Sequence, residues 1–128
     1  MIRLALPLAV ATLLAVPLHA QQDTAPDSAT IARGKALFQG RGTCFSCHGM
    51  QGEGMLGPTT VLNANKPKWL HHDGTIAGII KVITGGIDAE HSTSGQEMPP
   101  KGGSKLTDAQ VAQVAAYVWS LHRTKPAS

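Results

Sequence analysis

Aromatic side chains are scarce in this chain of 128 residues. They make up 4% of it: Phe38, Phe45, Trp69, Tyr117 and Trp119. Large rings normally dominate the area buried in a small core. Either the core is thin, or a body that is not an amino acid fills it. Charge is also sparse, at 15%, while hydrophobic residues reach 42%; that balance excludes a disordered polyelectrolyte and a multi-span membrane protein. The formal charge of +3 is too small to argue for nucleic acid. Lys66, Lys68, Lys101 and Lys105 fall in loops and read as solvated. No stretch alternates as a β-strand does, and no internal repeat or low-complexity segment occurs. At this length there is room for one domain.

The longest uncharged apolar run, Leu4 to Leu18, is shorter than the ~20 residues of a membrane span. It follows Arg3 and ends near Ala20, which is the layout of an export signal. The expected organisation is therefore a signal peptide over 1–20, a polar disordered start over 21–27, a folded domain over 28–124 and a tail over 125–128. Export implies a periplasmic location; an uncleaved signal would anchor the chain at the membrane. Cleavage after Ala20 removes Arg3 and leaves a net charge of +2.

Three helices are expected. One fits Ser28 to about Gln39, with Ile31, Leu37 and Phe38 apolar and Gly34 on the face of Phe38. A second fits Gly74 to Thr84: Asp73 can cap it, Ile76, Ile79, Ile80 and Ile83 form a stripe, and Gly85 ends it. The last is the clearest. Thr107 and Gln110 match a capping box, Leu106 and Val111 a hydrophobic staple, and Val111, Val114, Ala115 and Val118 recur at helical spacing. His122 falls in its final turn, where positive charge suits the helix dipole. Between the helices lie a glycine-rich loop over 40–57, a Gly57-Pro58 turn, and a long loop from Ile87 to Lys105.

The only two cysteines stand in Cys44-Phe45-Ser46-Cys47-His48. This is C-x-x-C-H, the attachment signature of c-type haem. Two thiols three positions apart can each add to one vinyl group of a porphyrin, and the next residue can then bind the iron through an imidazole nitrogen. A disulfide is permitted by export but does not require the histidine. A thioredoxin-type pair wants a βαβ context, and a zinc site wants further ligands at tight spacing. One covalent haem c is the expected cofactor, with Cys44, Cys47 and His48 holding it.

Met98 is the expected sixth ligand, 50 residues beyond His48 in a loop stiffened by Pro99 and Pro100. A Met/His pair raises the reduction potential. The rivals are Met50, Met55, His71, His72 and His91. Met50 and Met55 read as packing methionines in the haem crevice, and His91 as a solvent-facing residue of a Ser/Thr/Gly loop.

With these pieces in order, the chain resembles a class I cytochrome c from about Thr30 to Leu121. The likeness rests on Gly34 to Phe38, Cys44 to Gly49, Gly57-Pro58, Met98-Pro99 and Ala116-Tyr117-Val118. It implies an all-α fold of three main helices and loops wrapped around one covalent haem. It places Gly34 and Phe38 against Val114 and Tyr117 where the first and last helices cross. It also implies that the Pro58 carbonyl accepts the Nδ1 hydrogen of His48, and that Trp69 lies near a haem propionate; Trp69 as a plain core residue is the other reading. Lys68-Trp69-Leu70, Gly85-Gly86, Met98-Pro99-Pro100, Gly102-Gly103 and Leu106 to Val111 are also similar to a haem domain of the dihaem subunit of cbb3-type oxidases. This chain has one C-x-x-C-H where that subunit has two, and the stretch from Ile87 to Gln96 lengthens the approach to Met98.

The implied activity is electron transfer, not catalysis: a monomeric one-electron carrier meeting a redox donor and acceptor transiently, with a membrane-bound oxidase or dehydrogenase as one partner class. A ligand-binding or sensory haem protein with an open sixth position is the alternative. An electron-delivering subunit of a larger oxidoreductase is a further one.

Overall fold

The computed structural model of the chain describes residues 24–65 and 68–123. The expected signal peptide, the C-terminal tail and Lys66 lie outside the described residues. Among the described residues there are four helices and two 3₁₀ turns. Among the described residues the only β pairing is a single antiparallel bridge, Ile87 with Met98. No helix among them is long and apolar enough to cross a membrane.

Helix α1 runs Ser28–Phe38 and is capped by Asp27, whose carboxylate accepts the Thr30 N–H at 2.8 Å and the Thr30 hydroxyl at 2.7 Å. Those bonds favour the ionised form and hold the Asp27 carboxyl below its ordinary range. The single turn α2, Phe45–His48, carries the C-x-x-C-H motif. Helix α3, Ile76–Gly85, starts two residues later than the sequence suggested. Its cap is Thr75, which accepts the Gly78 N–H at 3.0 Å, and not Asp73. Gly74 takes φ +83° and turns the chain, so helical geometry begins only beyond it. Asp73 braces that cap from behind, accepting the N–H and the hydroxyl of Thr75 at 3.0 and 2.7 Å.

Helix α4, Asp108–Arg123, opens as the capping box requires. The Gln110 N–H reaches Thr107 Oγ1 at 3.3 Å, and the Thr107 N–H reaches Gln110 Oε1 at 3.0 Å. Leu106 and Val111 are both buried, at 3% and 0% exposure, so the staple is closed over the cap.

The core forms where α1 and α3 pack on α4. It holds Phe38, Ile79, Ile83, Val111, Val114, Tyr117 and Val118. Gly34 makes the closest approach. A methyl group there would overlap the Gln113 carbonyl oxygen and stand 3.0 Å from Tyr117 Cβ. Only a residue without a side chain lets the two backbones meet so closely. One turn on, the rings of Phe38 and Tyr117 meet edge to face with centroids 5.2 Å apart, a favoured aromatic geometry. Phe38 also lies 6.4 Å from the His48 ring. The crossing therefore supports the motif from behind.

Candidate cofactor site

The motif sits on a strained and well-tied corner. Thr43 adopts φ +56°, uncommon for a β-branched residue. Its hydroxyl donates to the Gly42 carbonyl at 2.8 Å and stands 3.2 Å from the Gly102 carbonyl, linking this corner to the loop that follows Met98. The loop after α2 folds back onto it: the Gly54 N–H bonds the His48 carbonyl at 2.8 Å, and the Met55 N–H bonds the Cys47 carbonyl at 2.9 Å.

The two thiols are not joined, and they differ in environment. Cys47 is exposed and Cys44 half-buried. Burial pushes the Cys44 thiol up to about 11, so it keeps its proton at neutral pH.

His48 Nδ1 lies 2.7 Å from the Thr60 carbonyl oxygen. A carbonyl only accepts, so Nδ1 carries the proton in this bond. Here the structure corrects the resemblance, which placed the Pro58 carbonyl in this role. Pro58 opens a 3₁₀ turn, Pro58–Thr60, and its carbonyl takes the Val61 N–H at 3.4 Å. The turn carries the acceptor two residues onward. Thr60 is buried and its hydroxyl donates to Gly57, which fixes that carbonyl in place. No motif in the sequence marked Thr60.

An apolar crevice opens between α2, α3, α4 and the loop before Pro99. It contains about 690 Å³ of atom-free space, counted out into the solvent at its mouth. Cys44, His48, Trp69 and Met98 all line it, with Phe38, Ile79, Ile83, Val114 and Val118 as its floor. A second space continues past His48 and Met98 to Cys47 and is rimmed by Ser46, Leu56, Ser92 and Ser94. Cys44, His48 and Met98 thus line both spaces, and Cys47 lines the second.

Met98 is held by backbone. It exchanges two hydrogen bonds of 2.8 Å with Ile87, N–H to carbonyl in both directions. Gly86, at φ +71°, lets this pair close: a methyl there would overlap the Met98 carbonyl oxygen and stand 2.8 Å from Pro100 N. Beyond the bridge, Lys101 at φ +55° and Gly102 at φ +64° turn the chain back toward α4. The Lys101 ammonium fastens the turn, donating to the Leu106 carbonyl and to Asp108 at 2.9 Å each.

The rival ligands separate clearly. Met50 and Met55 are 47% and 63% exposed, so neither packs in the crevice as expected. The Met50 carbonyl instead accepts from Gln39 at 2.7 Å and lies 3.4 Å from the Tyr117 hydroxyl. His91 is exposed and paired with Asp88 at 2.7 Å. His71 and His72 do border the crevice. Trp69 lines it too, between the rings of His72 and His122 at centroid distances of 4.4 and 4.5 Å. His122 is in the last turn of α4 as expected, but its Nδ1 is buried without a hydrogen-bond partner among the described residues.

Residues 31–122 match the family model described as Cytochrome c. The chain belongs to the cytochrome c family. It is 36% identical over 104 residues to the Cbb3-type cytochrome c oxidase subunit FixPc of Rhizobium leguminosarum bv. viciae, covering 80% of this chain and 34% of that subunit. It is 34% identical over 101 residues to the FixP subunit of Azorhizobium caulinodans, covering 79% of this chain and 33% of the subunit. Cytochrome c-555 of Chlorobaculum thiosulfatiphilum is 36% identical over 88 residues, 68% of this chain and 91% of that protein. The chain therefore spans about a third of the oxidase subunits and nearly all of the single-domain relative. No solved structure matches it.

This cytochrome c has the class I fold, all-helical in its regular elements, and its family cofactor is one covalently attached haem c. The residues present fit that group. The pocket is apolar, Cys44 and His48 line it, Cys47 lines the adjoining space, and the Thr60 carbonyl orients the His48 ring through Nδ1.

Proposed function

We propose that the chain is an exported carrier of single electrons, in which Cys44 and Cys47 would hold haem c through thioethers and His48 and Met98 would bind its iron. When bound, haem c supplies a one-electron ferric/ferrous couple. Thr60 orients the His48 ring and keeps its proton on Nδ1, the kind of outer bond that strengthens an imidazole ligand. The Ile87–Met98 bridge holds the methionine backbone still. A thioether is a soft donor and favours the reduced iron, which raises the potential. The apolar floor excludes water from the crevice, and the Cys47 side, rimmed by hydroxyls and Leu56, is where a partner would approach. Docking there is brief and small, as weak redox encounters are, and the carrier is a monomer in the periplasm after loss of residues 1–20.

The observation that carries this reading is the single crevice bordered by His48, Met98 and Cys44, with Cys47 on its continuation. The test is Met98→Ala in the holoprotein. Loss of the thioether-to-iron absorption and a fall in potential are expected; an unchanged spectrum would assign the sixth position to another group. The identity to FixP subunits supports a second reading, an electron-delivering subunit of a larger oxidoreductase. Co-purification with a membrane oxidase from native fractions would favour that one, and recovery in the soluble periplasmic fraction alone would favour the free carrier.

A further inference from the structure

The bridge to Ile87 fixes Met98 from one side. On the other side come Pro99 and Pro100, which have no N–H with which to tie the chain down. Lys101 and Gly102 follow, with φ of +55° and +64°. The bonds made inside this turn are local: the Gly102 N–H to the Pro99 carbonyl at 2.9 Å, and the Ser104 hydroxyl to the Lys101 carbonyl at 2.6 Å. They close the turn without fastening it to the domain. Two polar contacts reach beyond it. The Thr43 hydroxyl stands 3.2 Å from the Gly102 carbonyl, but it has one hydrogen, and its nearer acceptor is Gly42 at 2.8 Å. The Lys101 ammonium bonds the Leu106 carbonyl and Asp108, at 2.9 Å each.

The sequence reads Lys101 as a solvated loop residue, yet its side chain is only 26% exposed. Leu106 is buried under the start of α4, so its carbonyl is a fixed point. Asp108 is 93% exposed, and an exposed ion pair contributes little. The carbonyl is therefore the main hold. The backbone argues the same way. A φ of +55° is disfavoured for a residue with a side chain, whereas glycine takes it freely, as Gly102 does next door. Lysine stands here at a conformational cost, and the charge-assisted bonds of its ammonium offset that cost.

We propose that Lys101 is a positioning residue for Met98: its ammonium, held on the Leu106 carbonyl, keeps the loop beyond the bridge closed, so that the thioether stays in place and small external ligands are kept out. This rests on the reading of Met98 as an axial ligand.

The experiment uses the exported ferric holoprotein with Lys101→Gly, Lys101→Asn, Lys101→Arg, Asp108→Asn and, as a destabilised control far from the loop, Asp27→Ala. Imidazole is added at saturation, and the loss of the thioether-to-iron absorption is followed by stopped flow. Amide hydrogen exchange at Ile87 and Met98 gives a second readout that does not use the iron. Lys101→Gly should speed displacement about tenfold, as expected for one lost hydrogen bond to a charged group, and should speed exchange at both bridge amides. A turn-forming role alone predicts no acceleration, because glycine fits this φ better. Lys101→Asn, which also tolerates this φ, should match Lys101→Gly, and Lys101→Arg should restore most of the loss. Asp108→Asn should have a much smaller effect. Asp27→Ala loses a helix cap and should change neither readout. Wild-type displacement and exchange in Lys101→Gly overturn the proposal. So does an equal acceleration in Asp27→Ala, which would trace the effect to global stability. Failure of the underlying reading looks different: the wild type itself would lack the thioether-to-iron absorption.

Discussion

Where α1 meets α4 the chain is dry and closely fitted: Phe38, Val111, Val114 and Tyr117 are all at or below 5% exposure, and Gly34 lets the backbones touch. Where the chain passes round the crevice it is built from glycine turns, 3₁₀ turns and one two-bond bridge. The first region buries its own surface. Fully burying a large apolar side chain is worth roughly 1.5–3 kcal/mol, and the crossing collects several such contributions. The crevice takes its floor from the same core, Phe38 and Val114 included, while its loop wall adds little of that kind. The two regions thus share buried residues, and Phe38 faces both Tyr117 and His48.

The strongest test of this contrast is removal of both anchors. Cys44→Ser with Cys47→Ser should abolish covalent haem, read as loss of haem absorbance after denaturing electrophoresis, and should leave a poorly folded chain. A cooperative thermal transition equal to that of the holoprotein would break the contrast, because the crevice would then not need its occupant. Next is Gly34→Val, which forces the crossing open. Overpacking of this kind costs about 1–3 kcal/mol. Chemical denaturation should show that loss while the haem spectrum stays unchanged; a shifted spectrum would mean the two regions are not separable. Thr107→Ala removes one half of the capping box and should cost about 1 kcal/mol, measured the same way and again without effect on the potential.

The smallest effect is the response to acid. Asp27, Asp73, Asp88 and Asp108 are each held below the ordinary carboxylate range. For Asp27, Asp73 and Asp108 the hydrogen bonds of a neighbouring side chain are the main cause, from Thr30, Thr75 and Lys101; for Asp88 it is the backbone N–H of His91. A lowered carboxylate stabilises the fold above its unfolded value, about 3.9, and that support is lost as pH falls through the lowered native value. Circular dichroism should therefore show a small loss of total helix signal in acid. Asp27→Asn keeps a capping oxygen that does not titrate, so in that variant the α1 share of the acid loss should disappear.

How much of this was legible in the sequence follows the same division. The crossing helices were readable because helical spacing and capping chemistry are local, as in Leu106, Thr107, Gln110 and Val111; that Gly34 and Phe38 meet Val114 and Tyr117 came from the resemblance. The attachment motif was readable because its chemistry fixes its spacing. The partner of His48 was not, because whether Pro58 or Thr60 presents its carbonyl depends on how a three-residue turn closes. The start of α3 was misplaced for a similar reason: both Asp73 and Thr75 are good caps, and the φ of Gly74 chooses between them. Met50 and Met55 carried no pattern that separates a crevice methionine from an exposed one; the backbone bonds from Gly54 and Met55 back to α2 decide it. The border that His71 and His72 give the crevice belongs to the fold alone, since it exists only when the 68–75 loop, α3 and Met98 come together.

The bridge between Ile87 and Met98 has one more consequence. It ties off the intervening stretch at its base, so residues 88–97 hang from the domain as a closed ring. Doubling the length of such a ring costs only about 0.6 kcal/mol in closure entropy. The position of Met98 is thereby uncoupled from the ring's length. Its composition still counts, because Ser92, Ser94 and Gln96 line the space beside His48 and Met98, so exchanging these residues changes the polarity of that mouth without moving the methionine backbone.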